Sequence, residues 1–575
     1  MLVRQLEIRR FRGFEELKLR PAKHAVLVGE PRAGRSDVIE GLRRVLSPDS
    51  TRSPLSDDID FYQRDRSFRA ESEVVLGDLG PVLTQQFFDR LEFWDTEESA
   101  LIDLLDDVEA LNDPNVEPVL RLCYRAEWSP TEEVARHWVD YPKTSDPGAG
   151  DFHYVRRADR EAIPFFFGGR GARPLSLAAR AIFRRLIDQA QGADFAPHLE
   201  QLLDAIRVAA AAFGQSAQVR EALGQVVEPA RLPLDADTAD VSDLLRFAPE
   251  GGVIGAILRS LSATADLGDG AGFLPLERHG STVSALFALC ELLALGGTGV
   301  VAIDDLGEDL DAATAGYLAA VLRKQARQAW VSTRRAPVAE AFRASEIIRL
   351  SFDDSNDRVA STGWEPADKA ERMFMRHFAL QVLPAIAARA LIVVEGPHDR
   401  SAYGVIAERL FHQESVALPG SRRIAFADAG AAGGGGGSSV IPKLTAGARR
   451  LGFFTVAILD GDKDETAIQD TMNDADLVVR LPDGCAIERA ILDGLTDPII
   501  RDAFAELDVV PPADFNTITD AALRTAAIGL LKQRGGTHSQ FLDALPAGVH
   551  PALARRVLET AVTGVSTRQR GFVQL

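Results

Sequence analysis

At 575 residues with a formal net charge of −20, the chain is too long for a single hydrophobic core, and its acidic balance is unusual for a protein that clamps nucleic-acid phosphates. Apolar residues make up 46% of it, which excludes a disordered chain, and no apolar run reaches the roughly 18–20 residues that span a bilayer. Cys123, Cys290 and Cys485 are too few and too scattered for a disulfide framework or a structural zinc module, and read as core residues.

The opening MLVRQLEIRRFRGF alternates apolar and charged residues as a strand does. It lacks the apolar stretch and small-residue cleavage site of a signal peptide, so a cytoplasmic chain is expected. Strands are predicted over 2–10 and 24–28, then a glycine-containing loop over 29–36 and the helix DVIEGLRRVL, then a strand over 72–76. The loop reads Gly29-Glu30-Pro31-Arg32-Ala33-Gly34-Arg35-Ser36. Its spacing is that of the phosphate loop G-x-x-x-x-G-K-[ST], with Arg35 in place of lysine, between a strand and a helix as that motif requires. Backbone N–H groups at the helix N-terminus would cradle ATP phosphates, and Ser36 would hold magnesium. Arg35 keeps the charge but offers a planar fork instead of a compact ammonium.

Acidic helix-like and strand-like segments, including VLRLCYRAEW, fill 83–173, and helical periodicity dominates 174–226. A helix SALFALCELLAL and the buried strand GVVAID over 299–304 follow, and the acidic stretch 352–367 reads as a linker. The expected domains are 1–110 and 271–355 as two halves of one unit, 111–270 as an insertion and dimerisation region, 356–388 as linker and helix, and 389–575 as a second α/β unit. The one low-complexity segment, AGAAGGGGGSS at 429–439, cannot hold regular structure and reads as a mobile loop.

The last unit concentrates the chemistry. The strand LIVV ends in Glu395-Gly396 with Asp399 close behind, and FFTVAILD ends in Asp460-Gly461-Asp462. Glu488 follows the strand-like LVVRL. Carboxylates at several strand C-termini converge on one edge of a parallel sheet, and such a density of hard oxygen ligands suits Mg2+ or Mn2+, with two ions able to activate water and stabilise a leaving oxygen in phosphodiester cleavage. From Ala385 onward, 19 Lys and Arg stand against 23 Asp and Glu, so most of the negative charge lies upstream and charge alone decides nothing about DNA.

The segment from Leu6 to Leu46 resembles the N-terminus of RecF- and SMC-type ATPases, whose ABC-type nucleotide domain is split around an insertion. On that resemblance Gly280 and Ser281 open the signature helix, Asp304 is the magnesium-side carboxylate, Asp305 replaces the water-orienting glutamate, and Arg334 replaces the switch histidine. With Arg35 in place of lysine, these make three departures, which imply slow hydrolysis, or ATP acting as a dimerising ligand. The pair E-G-x-x-D and D-x-D resembles the Toprim domain. The only tyrosine beyond 385 is Tyr403, placed for packing, which argues against a topoisomerase, and the scattered cysteines argue against a bacterial primase. ATPase followed by Toprim resembles the OLD-family nucleases, most of all the class that includes the Gabija antiphage nuclease.

The resemblance implies an α/β fold, an ABC-type ATPase with a helical insertion followed by a Toprim domain on a parallel sheet. It implies a nucleotide-regulated DNA endonuclease, dimeric or larger through its ATPase part, working beside a separately encoded helicase and without a membrane. Glu395, Asp399, Asp460, Asp462 and Glu488 become metal ligands or their supports, and Lys532 the late lysine that stabilises transition-state charge, with Arg534 as fallback. The competing readings are a signalling or structural ATPase scaffold and a RecF-like repair ATPase.

Overall fold

The computed structural model describes residues 1–51, 58–102, 113–168, 175, 196–221, 263–268, 270, 272–297, 299–430, 440–533 and 537–575. The helix expected over 177–190, the part of the 217–227 helix beyond 221, the glycine run at 433–437 and Arg534 lie outside them. Two compact units form: Met1–Phe167 together with Thr298–Leu575, and Gly168–Gly297.

The first unit is built on three sheets, and the expected α/β class holds. One sheet is antiparallel, in the order Phe14–Leu19, Leu2–Phe11, Ala70–Gly77, Val116–Ser129, Leu91–Asp95 and Ala100–Ile102, with Val134–Asp140 also paired to Val116–Ser129. In Phe14–Leu19, Phe14, Leu17 and Leu19 are buried and Glu15, Glu16 and Lys18 face solvent, alternating from Glu16 onward. The segment 116–140, mixed in sequence character, thus extends this sheet. The second sheet runs Arg358–Thr362, Ile347–Phe352, Ala25–Gly29, Gln328–Ser332, Val300–Ile303 and Phe165–Gly168. Ala25–Gly29 lies parallel to both Gln328–Ser332 and Ile347–Phe352. Helix Arg35–Leu46 buries Val38, Ile39, Leu42, Val45 and Leu46 in one core with Leu6 and Ile8 of the first sheet and Leu27 and Trp330 of the second. Its helical apolar spacing is what fastens the glycine loop between two layers.

The stretch 352–367 is more than a linker. Ile347–Phe352 and Arg358–Thr362 pair antiparallel, closed by a turn in which the Asp353 N–H donates to Asp357 O and Asn356 takes φ 65°. The acidic, polar residues that suggested a connector are turn formers, and asparagine tolerates the left-handed region there.

The third sheet is wholly parallel, in the order Ile424–Asp428, Ala390–Val394, Phe454–Leu459, Leu477–Arg480 and Gly571–Gln574. Both faces are covered: Ile392, Val394, Val456 and Ile458 enter one core, while Leu391, Val393, Ala457 and Leu459 enter another. Burial on both faces is why these strands read as unbroken apolar runs. Helix Lys369–Val382, capped by the Asp368 carboxylate on the Glu371 N–H, leads into this sheet. In the second unit the described elements are helices Ala196–Gly214 and Ser281–Gly296 and the short pair Thr264–Ala265 with Leu274–Pro275.

Within the first unit a buried arginine joins the second sheet to the third. Arg349, on Ile347–Phe352, is fully buried. Its guanidinium donates to Leu451 O at 3.1 Å and Ala388 O at 2.6 Å and lies 3.7 Å over the Phe453 ring. Glu30, 2% exposed in the glycine loop, lies 3.9 Å from Arg349 and 3.8 Å from Arg423. Burial lowers the Arg349 pKa to about 10, against the opposing pull of Glu30. Removing one member of a buried pair strands the other, at about 3–5 kcal/mol. Arg349→Met is therefore expected to lower the urea midpoint of the first unit, followed by tryptophan fluorescence, whereas Arg423→Met, whose parent side chain is 38% exposed, shifts it far less. Equal midpoints for wild type and Arg349→Met would refute this role.

Candidate functional site

Two sites emerge from the first unit, one at the glycine loop and one at an edge of the parallel sheet. At the loop, Gly29 takes φ 125° and a Cβ there would fall 2.0 Å from Leu350 O, so only glycine lets the neighbouring strand approach. Gly34, at φ 94°, caps helix Arg35–Leu46. The Ser36 hydroxyl donates to Asp304 Oδ1 at 2.9 Å, and Ser332 donates to the same oxygen at 2.5 Å. The fold therefore brings the predicted magnesium-side serine and carboxylate together across the sheet. Asp305, with φ 56°, donates its N–H to Ser332 Oγ.

Arg35 turns its guanidinium onto Gly29 O at 3.1 Å and Thr333 O at 3.2 Å, and burial lowers its pKa. Arg334 is held by Glu308 at 3.1 Å. Its neighbour Arg335 donates to the carbonyls of Gly307, Glu308 and Leu310, fixing the segment after Asp305. Gly280, at φ 95°, and Ser281 begin helix Ser281–Gly296 in the second unit.

At the parallel sheet, register determines the site. Val393 pairs with Ala457 and Ile458 with Val479, all parallel, so the residues after these strands share one edge. Glu395 and Asp460 follow two adjacent strands there. Asp399, in the first turn of helix Pro397–Glu414, accepts the Gly396 N–H at 3.0 Å. Gly461 is needed between the two aspartates because a Cβ would sit 1.8 Å from Pro482 O, and its N–H donates to Cys485 O at 2.7 Å. That close approach delivers the turn leading to Glu488 on the short helix Ile487–Ala490.

The neighbouring carboxylates also act on one another electrostatically. Burial, with Asp399 and Glu395 adding repulsion, pushes Asp460 up to about 8. Burial also lifts Asp399 to about 6, opposed by the Gly396 N–H and reinforced by Glu395 and Glu488. Burial works to raise Glu488, but His538, its own backbone and Lys532 outweigh it and hold its pKa low. Asp462 points outward, 62% exposed. Lys532 is exposed, with Nζ 3.7 Å from Glu488.

Three residues at this edge escaped the sequence reading. Lys463 places Nζ 2.8 Å from Glu395 Oε2 and 3.5 Å from Asp462, a cation inside the run DGDKDE. Asp428 ends strand Ile424–Asp428 beside Val394, with Arg400 at 3.4 Å. Its signal, an apolar strand closing on an acid in IAFAD, was visible. His538, buried 3.7 Å from Glu488, had no sequence signal. Among the described residues no group of three or more His, Cys, Asp or Glu side chains is placed to hold a metal ion. The donors are nonetheless of the kind a hard divalent ion takes: they are carboxylate oxygens, and burial with neighbouring carboxylates raises Asp399 and Asp460.

No family model matches the chain, and no curated protein matches it significantly. Among solved structures it aligns with an Smc head bound to the C-winged helix domain of ScpA, over 65% of this chain and all of that one, at 14% identity and TM-score 0.35. It also aligns with the SMC head domain from Thermotoga maritima, over 64% and 100%, at 10% identity and TM-score 0.27. Stu0660 of Streptococcus thermophilus aligns over 67% and 86%, at 8% identity and TM-score 0.31. At such scores these likenesses assign neither a family nor an activity.

The raised carboxyls fix a sign for pH dependence. Asp399 and Asp460 keep protons in the folded chain that the unfolded chain releases, so stability falls as pH rises from about 4 through about 8. Thermal melting of metal-free protein should show this decline, Asp460→Asn should flatten it, and Mn2+ should raise Tm more at pH 8 than at pH 5. A decline unchanged in Asp460→Asn would refute the assignment.

Proposed function

We propose that this chain is a nucleotide-regulated, divalent-metal-dependent DNA endonuclease that uses Mg2+ or Mn2+. The observation that carries the reading is Asp460, buried beside Asp399 and Glu395 and pushed up to about 8. Like charges crowded in a low-dielectric edge repel unless protons or cations neutralise them, and near neutral pH a divalent ion does so best. Glu395, Asp399, Asp460 and Glu488 hold the ion or ions, with Asp462 at the outer rim. Such an ion, when bound, polarises a phosphodiester and lowers the pKa of a water. Lys463 fixes Glu395, and Lys532, free to move at the surface, meets phosphate charge beside Glu488.

The glycine loop is the regulatory half of this reading. Ser36 and Asp304, already joined, hold the magnesium of a bound ATP, and Arg35 leaves its two carbonyls to meet the phosphates. With Asp305 and Arg334 at the hydrolytic positions, ATP acts by binding more than by turnover. The chain pairs with further copies of itself, Gly280 and Ser281 serving a shared nucleotide, and works beside a helicase in antiphage defence or DNA processing.

Supercoiled plasmid should be nicked or linearised by the full chain with Mg2+ or Mn2+, and Asp460→Ala should lower the rate at least ~100-fold. Arg35→Ala should weaken ATP binding roughly tenfold or more and remove the effect of ATP on cleavage while sparing cleavage without nucleotide. Intact plasmid, linear and single-stranded DNA under every metal and nucleotide condition would instead favour an ATPase scaffold.

A further inference from the structure

A hollow at the other end of the second sheet from the glycine loop takes no part in either site described above. Strand Ala25–Gly29 runs into the glycine loop at one end and begins just after Lys23 and His24 at the other. Five strand residues separate the two ends by roughly 17 Å. Lys23, His24, Arg323, Lys324 and Arg343, with Glu346 and Glu365, line this hollow of about 370 Å³.

Its charges do not balance. Glu346 is 3% exposed and already engaged, accepting Arg323 Nε and the Arg343 N–H, each at 2.8 Å. Glu365 takes the Ser345 hydroxyl. Lys23, Lys324 and Arg343 are exposed, and among the described residues none of their side chains forms an ion pair. A helix C-terminus favours cations, and Arg323 and Lys324 stand in the last turn of Ala312–Gln325. That does not account for Lys23 and Arg343, which two other segments of the chain bring to the same place. In a chain of net charge −20, cations gathered without counter-charge repel one another and favour an added anion.

His24 adds a donor without adding charge. It is 1% exposed, and its Nδ1 accepts the Ala329 N–H at 3.0 Å, so the ring proton resides on Nε2. Burial lowers its pKa to about 4 against the pull of Glu346, and Lys23, Arg323 and Arg343 reinforce the shift. The imidazole is therefore neutral near pH 7.

We propose that this hollow binds a small, multiply charged phosphate, a polyphosphate or a phosphorylated metabolite, through Lys23, Lys324 and Arg343, at a site separate from the glycine loop. A guanidinium takes two phosphate oxygens at once, while the two ammonium groups act as point charges that adapt to the ligand's shape. The volume lies in the range that encloses a small molecule, about 300–1,000 Å³. Among the lining residues no Phe, Tyr or Trp offers a stacking face to a nucleobase, so the phosphate groups are what the hollow recognises. The inference goes beyond the endonuclease reading and needs no ion at the carboxylate edge.

The test is lysine footprinting of the full-length chain by brief acetylation and mass spectrometry, in metal-free buffer of fixed ionic strength, with tripolyphosphate as the probe. Near saturation, acetylation of Lys23 and Lys324 should fall at least about threefold, while Lys18, 44% exposed beside Glu7, is unchanged. The glycine loop at 29–36 contains no lysine, so a phosphate bound there does not mimic the result. In Arg343→Ala the tripolyphosphate concentration for half-protection should rise at least about tenfold, and in Arg343→Lys it should rise less. The Arg343 side chain is exposed, and unchanged acetylation of Lys18 in the variant checks that it folds. Equal acetylation of Lys23 and Lys324 with and without tripolyphosphate overturns the inference, as does protection that Arg343→Ala leaves intact. Protection by a short oligodeoxynucleotide but not by tripolyphosphate also overturns it, and makes the surface a contact for nucleic-acid backbone instead.

Discussion

Arg349 is the interaction on which the arrangement of the first unit turns. A cation with no exposed surface is tolerable only if its charge is answered, and here it is answered from two directions: Glu30 lies at the glycine loop, and Leu451 O and Ala388 O, in the segments entering the parallel sheet, take Nη1 and Nη2, while Nε has no hydrogen-bond partner. The Phe453 ring takes the face of the guanidinium. An arginine suits this position where a lysine would not, because its planar fork reaches two carbonyls while its face stacks.

The second constraint is repulsion. A parallel sheet delivers whatever closes or follows its strands to one edge, and in this chain Glu395 and Asp460 follow strands and Asp428 ends one. Helix starts and a tight glycine turn add Asp399 and Glu488. Neighbouring cations answer only part of that charge, Lys463 at Glu395, Arg400 at Asp428 and Lys532 at Glu488. Asp460 is pushed further than Asp399, up to about 8 against about 6, and only Lys463 opposes the shift. The imbalance is a cost to folding that an added cation relieves.

Much of this was legible in the sequence because it rests on local signals. Strands buried on both faces write themselves as LIVV and FTVAIL, and an acid directly after such a run is placed at the edge by backbone direction alone. The phosphate-type loop was legible for the same reason, since glycines at 29 and 34 and a helical pattern beyond them are contiguous. What failed to show was set by contacts distant in sequence. The pairing of 116–140 into the first sheet depends on partners at 70–77 and 91–95. Lys463 was hidden by its acidic neighbours, and His538 gains meaning only from a helix 140 residues earlier. The hairpin over 347–362 was masked by its own turn, whose polar residues resemble a connector.

Magnitudes decide how a nucleotide could act on the carboxylate edge. Spatial contiguity from Glu30 through Arg349 to Ala388 does not by itself transmit anything; a switch needs an element with two arrangements of comparable energy. Typical coupling energies between sites are about 1–3 kcal/mol, whereas separating a buried pair costs about 3–5 kcal/mol. The Arg349 pin is therefore too costly to open as the switch. On the proposed reading, the glycine loop and the carboxylate edge respond as one body, and Arg349 serves as a rigid fastening. Nucleotide then biases cleavage by changing how that body meets DNA or another copy of the chain. It does not do so by rearranging the carboxylates from within, which is why the ligand set can stay fixed on strand ends while regulation acts on access to it.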